Sequence, residues 1–266
     1  MNMIVCVKQV PNPEAPPSSF TIDPINNNVV FHSDVPAVIS PFDEYAVEAA
    51  LRIKDVKGGK ITIISLGINL QRDVVKKPLS MGADELILLE DPTFVDGDSW
   101  STAWALAAAI SKLGQFDLIF CGRQAADWDS GQVGSCIAEI LGLPQITLAR
   151  KVDIAGSKVT VQKVMEDGYE VVETDMPALI TVSNELGEPR YATIKGIMAA
   201  RREEPVVWKP ADIGVDVLQI GAAGRRTKIV KLIQPEHVSK CEIISGANEE
   251  ETGVNLAKKM AETGLL

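Results

Sequence analysis

The spacing of apolar positions changes along this chain, and the change divides it. Short apolar runs at residues 3–7, 61–66, 85–89 and 116–120 read as buried strands, and amphipathic stretches of helical period lie between them. The firmest of these begins at Ser40, which is placed as a cap. Pro41 suits the first helical position, Asp43 and Glu44 suit its positive end, and Phe42, Ala46, Ala49, Ala50 and Ile53 line one face. A second helix over 70–81 is expected to be interrupted near Pro78. A third is capped by Asp98 and buries Ala103, Trp104, Ala107 and Ile110. A fourth starts after Ser130, with Val133, Ile137, Ile140 and Leu141 on one face and Gly142 and Pro144 as its stop. Strand and helix thus alternate to about residue 143, the pattern of an α/β fold with a doubly wound, Rossmann-like parallel sheet.

From residue 146 the period becomes two. Residues 146–154, 159–165 and 169–174 alternate around turn residues such as Asp167 and Gly168, so an added β-hairpin region follows the βα units. A smaller hairpin over 20–31 lies outside the sheet, and 178–183 reads as one more buried strand. A short helix is expected over 198–202. Beyond it the chain is thinly apolar, and Gly221, Gly224, Arg225 and Arg226 look like an exposed connector. The last element is a helix over 249–263, with acidic residues in its first turn, lysines near its last, and Val254, Ala257 and Ala261 on one stripe. That stripe needs a surface, on this domain or on another chain. The division expected is a nucleotide-binding α/β domain over 1–204 and an extended C-terminal arm over 205–266 that ends in a helix and packs on a partner.

Charge narrows the class. The 266 residues carry a formal net charge of −10, which argues against nucleic acid or an anionic membrane as the main partner. No apolar run has the length of a membrane span, and the first residues enter a strand directly, so neither membrane insertion nor export is expected and the cytoplasm is the expected location. Cys6, Cys121, Cys136 and Cys241 have no CxxC spacing and read as plain thiols, not a metal site or disulfide set. His32 and His237 stand alone. No nucleophile has a base at usable spacing, so no catalytic side chain and no metal is assigned, and any chemistry falls to a bound cofactor.

The stretch over 121–141, CGRQAADWDSGQVGSCIAEIL, is where such a group would settle: a strand, a loop rich in Gly and Asp, and a helix start. On that reading Gly122, Gly131 and Gly134 let backbone approach the ligand, Arg123 pairs with phosphate and Gln132 is a polar hook. An ordinary βα turn has the same composition, and neither GxGxxG nor GxxxxGK[ST] is present to decide between them. Loops beginning at Cys6, Leu66 and Gly122, with the Ser40 cap, would meet at the carboxyl ends of the strands.

The segment VQKVMEDGYEVVETDMPALIT over 161–181 resembles the signature of the electron transfer flavoprotein β subunit at Val161, Lys163, Glu166, Asp167, Gly168, Glu170, Val172, Pro177, Leu179, Ile180 and Thr181. VCVKQVP, SPFDEYAVEAAL, GRQAADWDSGQVG and EPRYATIKGIM extend the resemblance over nearly the whole chain. It implies an adenine-nucleotide-binding (adenine nucleotide alpha hydrolase-like) fold in an obligate heterodimer with an α subunit that carries the electron-transferring FAD. The nucleotide pocket it implies falls on Cys6, on Ser40, Pro41, Phe42 and Asp43, and on Leu66. It continues along the loop at Gly122, Arg123, Gln124, Ala125, Asp127, Asp129, Ser130, Gly131, Gln132 and Val133. A docking loop for a flavin-containing dehydrogenase falls on 191–202, with Ile194 as apolar anchor and Tyr191, Met198 and Arg201 beside it.

The β subunit of that family holds either a structural AMP or a second FAD. Small residues at Ser130 and Gly131, which leave room for a diphosphate, favour FAD and with it electron bifurcation. In that reaction electrons from NADH divide between a dehydrogenase and a low-potential acceptor such as ferredoxin. Arg123 and Gln124 are then the first candidates for tuning the flavin. Trp128 stands where Gly is expected and could stack on a ring or fill the rim, and Ser40 replaces the commoner Asn. An ATP-using ligase on a similar sheet is the rival of another class, but its SGGxDS loop is absent after the first strand, where KQVPNP stands.

Overall fold

In the computed structural model, which describes residues 1–234 and 241–265, the centre of the sheet is β1 (Asn2–Val7), buried at five of its six positions. The expectation for His237 lies outside the described residues. β2 (Gln9–Pro11) follows, then the hairpin β3 (Phe20–Asp23) and β4 (Asn28–Phe31), then β5 (Ala37–Ile39), which pairs antiparallel with β2. α1 (Pro41–Lys57) has Pro41 in its first turn, Asp43 and Glu44 at its positive end, Lys54 and Lys57 at the other, and stops at Gly58 (φ 69°). It leads to β6 (Lys60–Gly67).

Two short helices come next, α2 (Arg72–Val75) and α3 (Lys77–Met81). The expected interruption falls just before Lys77, so Pro78 sits in the first turn of α3, where its missing N–H costs nothing. β7 (Glu85–Glu90), α4 (Ser99–Leu113), β8 (Leu118–Gly122) and α5 (Val133–Leu141) complete the alternating part. Then come the antiparallel run β9 (Gln145–Ala155), β10 (Lys158–Met165) and β11 (Gly168–Asp175), followed by β12 (Ala178–Val182).

α6 (Ile194–Arg202) begins four residues before the sequence pattern places it, because Thr193 accepts from the Gly196 N–H and opens the helix there. β13 (Val206–Trp208) follows, and its pairing with β7 was not legible as a strand. The sheet order is β11-β10-β9-β12-β8-β1-β6-β7-β13. Strands β9, β12, β8, β1, β6, β7 and β13 run parallel, and the order reverses between β1 and β8. That is the switch point where an open α/β sheet leaves a crevice at its carboxyl edge.

Each face of the sheet has its own core. Met3, Val5, Ile61, Ile63, Phe120 and Ile180 pack with α1, α3 and Ala200 of α6. Ile4, Cys6, Ile64, Ile119 and Leu179 pack with α4, α5, Ile213 and Ile220 on the other face. The alternation of Met3 and Val5 against Ile4 and Cys6 is the period of a strand buried on both sides.

The compact unit runs Met1–Val230, past the expected boundary at 204, because β13 is an edge strand of the sheet and Ile213 and Ile220 are buried in it. α7 (Gly221–Gly224) belongs to the same unit. The expected connector keeps Arg225 and Arg226 exposed but is anchored at points: Gly221 (φ 54°) is buried where a Cβ would strike the Thr93 carbonyl oxygen. Arg226 N and Thr227 N donate to Asp98 Oδ2 at 2.7 and 2.8 Å, and the Arg226 guanidinium lies 3.7 Å over the Trp100 ring. A second unit begins at Lys231. Within it α8 (Glu249–Glu262) is capped by Asn248, whose side chain accepts from Glu251 N, and Lys259 pairs with Glu242 at 2.9 Å. Among the described residues no helix is long and apolar enough to cross a membrane.

Candidate functional site

The residues at the switch point are drawn together by one carboxylate. Asp43, in the first turn of α1, is only 6% exposed. Its Oδ2 accepts from the Lys8 N–H at 2.8 Å and its Oδ1 from the Gly122 N–H at 3.1 Å, so it ties the end of β1 to the end of β8. Burial pushes its pKa up to about 7 against the pull of those two donors and of the Lys8 charge. Only glycine fits at 122, since a Cβ there would lie 2.5 Å from Asp43 Oδ1 and 2.7 Å from the Phe42 carbonyl carbon.

Lys8 continues the link: its Nζ reaches Asp127 at 2.6 Å, and its carbonyl accepts from Ser40 N at 2.8 Å. Ser40 stands at the N-cap of α1, but its hydroxyl does not cap the helix. It accepts instead from Ala126 N at 3.3 Å, which joins the helix start to the loop after β8.

That loop holds its shape through its own side chains. Gln124 Nε2 donates to Asp129 Oδ1 at 2.7 Å and Asp129 N donates to the Ala125 carbonyl at 2.9 Å. Asp129 (φ 51°) and Gly131 (φ 62°) turn the chain in the left-handed region, for which Gly carries no steric cost. The expected cap at Ser130 is displaced. Gln132 is the N-cap of α5 and makes no side-chain cap bond, while Ser130 Oγ pairs with Ser99 Oγ at 3.2 Å on the neighbouring helix start. The first N–H groups of α5 therefore end the loop with no side-chain acceptor, at the positive end of a helix. Gly134 presses this helix onto β12, with a Cβ there falling 2.8 Å from Thr181 Cγ2.

Arg123 is the cation at the same edge. Its guanidinium lies 5.3 Å from the Phe42 ring centroid and its Nη1 donates to Ser183 Oγ at 3.4 Å. Its Nε is buried with no hydrogen-bond partner among the described residues. A buried donor of this kind is costly unless a ligand or water completes it. Ser183 also donates to Glu185, and that bond, with the Arg123 and Arg150 charges, holds the Glu185 carboxyl below its ordinary range. An anionic group fits these residues: an unpaired buried N–H on a cation, a helix start and a loop closed in on Gly122.

Of the residues expected from the sequence, Ser40, Phe42, Asp43, Gly122, Arg123, Gln124, Ala125, Asp127 and Asp129 meet here. Pro41 starts α1. Cys6 and Leu66 contribute strand ends, while their side chains join the core beneath α4, as does Val133. Cys6 and Cys121 are neighbours, and the hydrogen bond between them and burial push the Cys121 thiol up. Trp128 is 50% exposed. Lys8, Ser183 and Glu185 were not singled out; each lies within three residues of a strand end, the one signal that would have found them. Tyr191 and Ile194 are 96% and 80% exposed, and Met198 and Arg201 are exposed with them. Ile197 joins that face because the helix begins at Ile194. Among the described residues no group of three or more His, Cys, Asp or Glu side chains is placed to hold a metal ion.

Comparison with known proteins gives the family. The family described as "Electron transfer flavoprotein domain" matches residues 28–213. The electron transfer flavoprotein subunit beta of Thermoanaerobacterium thermosaccharolyticum is 41% identical over 98% of each chain, and that of Megasphaera elsdenii 42% identical over 96% of this chain and 95% of its own. CarD of the Acetobacterium woodii caffeyl-CoA reductase-Etf complex is 36% identical over the full length of both.

Proposed function

Because the chain belongs to the electron transfer flavoprotein β-subunit family, whose business is electron transfer, we propose that it pairs with an α subunit as an obligate cytoplasmic heterodimer and holds FAD at the carboxyl edge of its sheet. A flavin held there would supply the redox chemistry of bifurcation, with electrons from NADH divided between a flavin-containing dehydrogenase and ferredoxin. The observation that carries the nucleotide reading is the buried, unpaired Nε of Arg123 beside the open start of α5.

The residues have distinct parts. Arg123 presents a charge-bearing donor, and its seat on Phe42 and Ser183 fixes where that donor points. The first N–H groups of α5 receive phosphate oxygens. Asp43 holds Gly122 and Lys8 so that the two strand ends keep their spacing, and Gln124 braces the loop through Asp129. The small residues Ser130 and Gly131 leave room for a second phosphate, which favours FAD. Tyr191, Ile194, Ile197 and Met198, exposed beside Arg201, form the dehydrogenase-docking face. The CarD relative, named for a complex with caffeyl-CoA reductase, supports a partner of that kind. Of the arm expected over 205–266, the part to Val230 belongs to this chain's own compact unit, and α8 beyond it is proposed to lie on the α subunit.

AMP as a structural ligand is the second reading, favoured by the departure at Trp128, a bulky residue where glycine was expected. Acid extraction of the purified αβ pair with a count of flavin separates the two. Two FAD per pair is expected, and one FAD with one AMP overturns the bifurcating reading.

A further inference from the structure

The docking face has an anchor that its own residues do not supply. Tyr191 and Ile194 project from the chain almost fully exposed, so their positions are set by what holds the backbone on either side. On the far side α6 is braced against α3: Gly196 lies where a Cβ would strike the Ser80 carbonyl oxygen, and Ala200 is buried. On the near side the brace is ionic. Glu48, inside α1, is 4% exposed. Its Oε2 accepts from Arg190 N at 3.1 Å and Arg190 Nε at 2.8 Å, and its Oε1 accepts from Arg52 Nε at 2.8 Å. Arg190 Nη2 also reaches Asp55 at 2.7 Å, and Arg52 Nη1 donates to the Leu186 carbonyl at 2.8 Å. Four side chains of α1 and the loop, with the Leu186 carbonyl, thus satisfy one another around a buried carboxylate.

We propose that Glu48 and Arg190 are positioning residues for partner docking: through them α1 sets the place of Tyr191 and Ile194 before a dehydrogenase arrives. This rests on the docking-face reading above. A pre-organised loop lowers the ordering cost of association, and a freed one restores it. Because the same helix carries Asp43 five residues earlier, about 7.5 Å along its axis, the brace also fixes the docking face relative to the nucleotide edge. Burial pushes the Glu48 carboxyl up, but its arginine hydrogen bonds outweigh that and hold it below the ordinary range, so the brace stays charged at neutral pH.

The test uses the intact αβ pair with the flavin-containing dehydrogenase that turns over with the wild type as probe. Arg190→Gln is expected to raise the apparent KM for the dehydrogenase about tenfold, with kcat, flavin content and α pairing unchanged, and to speed amide exchange across residues 194–202. Arg190→Lys, which keeps the charge and not the fork, should recover part of the KM. Glu48→Gln should match Arg190→Gln, and the double variant should add little to either. If Glu48→Gln fails to fold, the Arg190 pair alone decides. Unchanged KM in Arg190→Gln overturns the proposal, as does a fall in kcat with no change in KM. Ile194→Glu run in parallel isolates the underlying reading: if it too leaves KM unchanged, the docking face lies elsewhere, whereas a raised KM there with unchanged KM in Arg190→Gln removes only the brace.

Discussion

Asp43→Asn probes the junction that ties the ends of β1 and β8 at the carboxyl edge of the sheet. The wild-type carboxylate accepts two backbone N–H groups, at 2.8 and 3.1 Å. Asparagine offers one carbonyl oxygen, so an amide N–H would face a backbone donor and leave it unsatisfied, at about 1–3 kcal/mol. The pH dependence then separates charge from hydrogen bonding. Asp43 has a folded pKa of about 7 against an ordinary 3.8, so between those values the folded chain holds a proton that the unfolded chain has released. Its contribution is greatest below the ordinary value and is lost as pH rises through the folded one. From about pH 5 to pH 8 that loss is about 3 kcal/mol for wild type and absent for the variant. Urea unfolding of the full chain, followed by circular dichroism at both pH values, should show Asp43→Asn less stable at pH 5 and drawing level or passing wild type at pH 8. Parallel losses in the two proteins would refute the assignment of a buried, proton-holding carboxyl to this position.

Two further outcomes follow from contacts at the same edge. Arg123→Ala removes the buried donor and its charge, worth about 1.5–3 kcal/mol to an anionic ligand, so nucleotide affinity should fall roughly 10- to 100-fold, read by retention through gel filtration and by flavin potential; wild-type behaviour in both would remove Arg123 from the site. Asp98→Ala deletes a capping box with Ser101 together with the bonds to Arg226 and Thr227, at a cost of about 2 kcal/mol. Trypsin should then cut at Arg225 and Arg226 faster than in wild type, and an unchanged digestion rate would show that the segment is held by other contacts. Burial raises the Asp98 pKa, but its four hydrogen bonds hold it down to about 2, so this clamp should persist above the ordinary carboxyl range and weaken only as pH falls toward that value.

The parts of the fold visible beforehand were those written locally. Pro41, Asp43 and Glu44 announce α1 whatever surrounds it, and Asp98 declares a helix start that the structure completes with Ser101. Alternation over 146–174 foretold the hairpins to within two residues. What stayed hidden was written between distant positions. The side chain of Asp43 serves Lys8, 35 residues away, and Gly122, 79 away, so nothing near it in sequence reveals a clamp. β13 is three residues long, too short to show a period, and it is a strand only because β7 offers an open edge. The anchoring of the segment around Gly221 stayed hidden because Asp98 lies 128 residues from Arg226. Ser40 and Ser130 were read as caps from position alone, and both hydroxyls went to a neighbouring segment instead.

The path of the chain around the open edge of the sheet has a consequence for assembly. Ala200 seats α6 on one side of the sheet, β13 borders it, and Ile213 and Ile220 are gripped on the reverse. The face proposed for dehydrogenase docking and the segment over 210–230 therefore lie on opposite sides of one wall. On the proposed roles, a protein seated on α6 would leave the reverse of that wall free, so that occupying one side asks no rearrangement of the other.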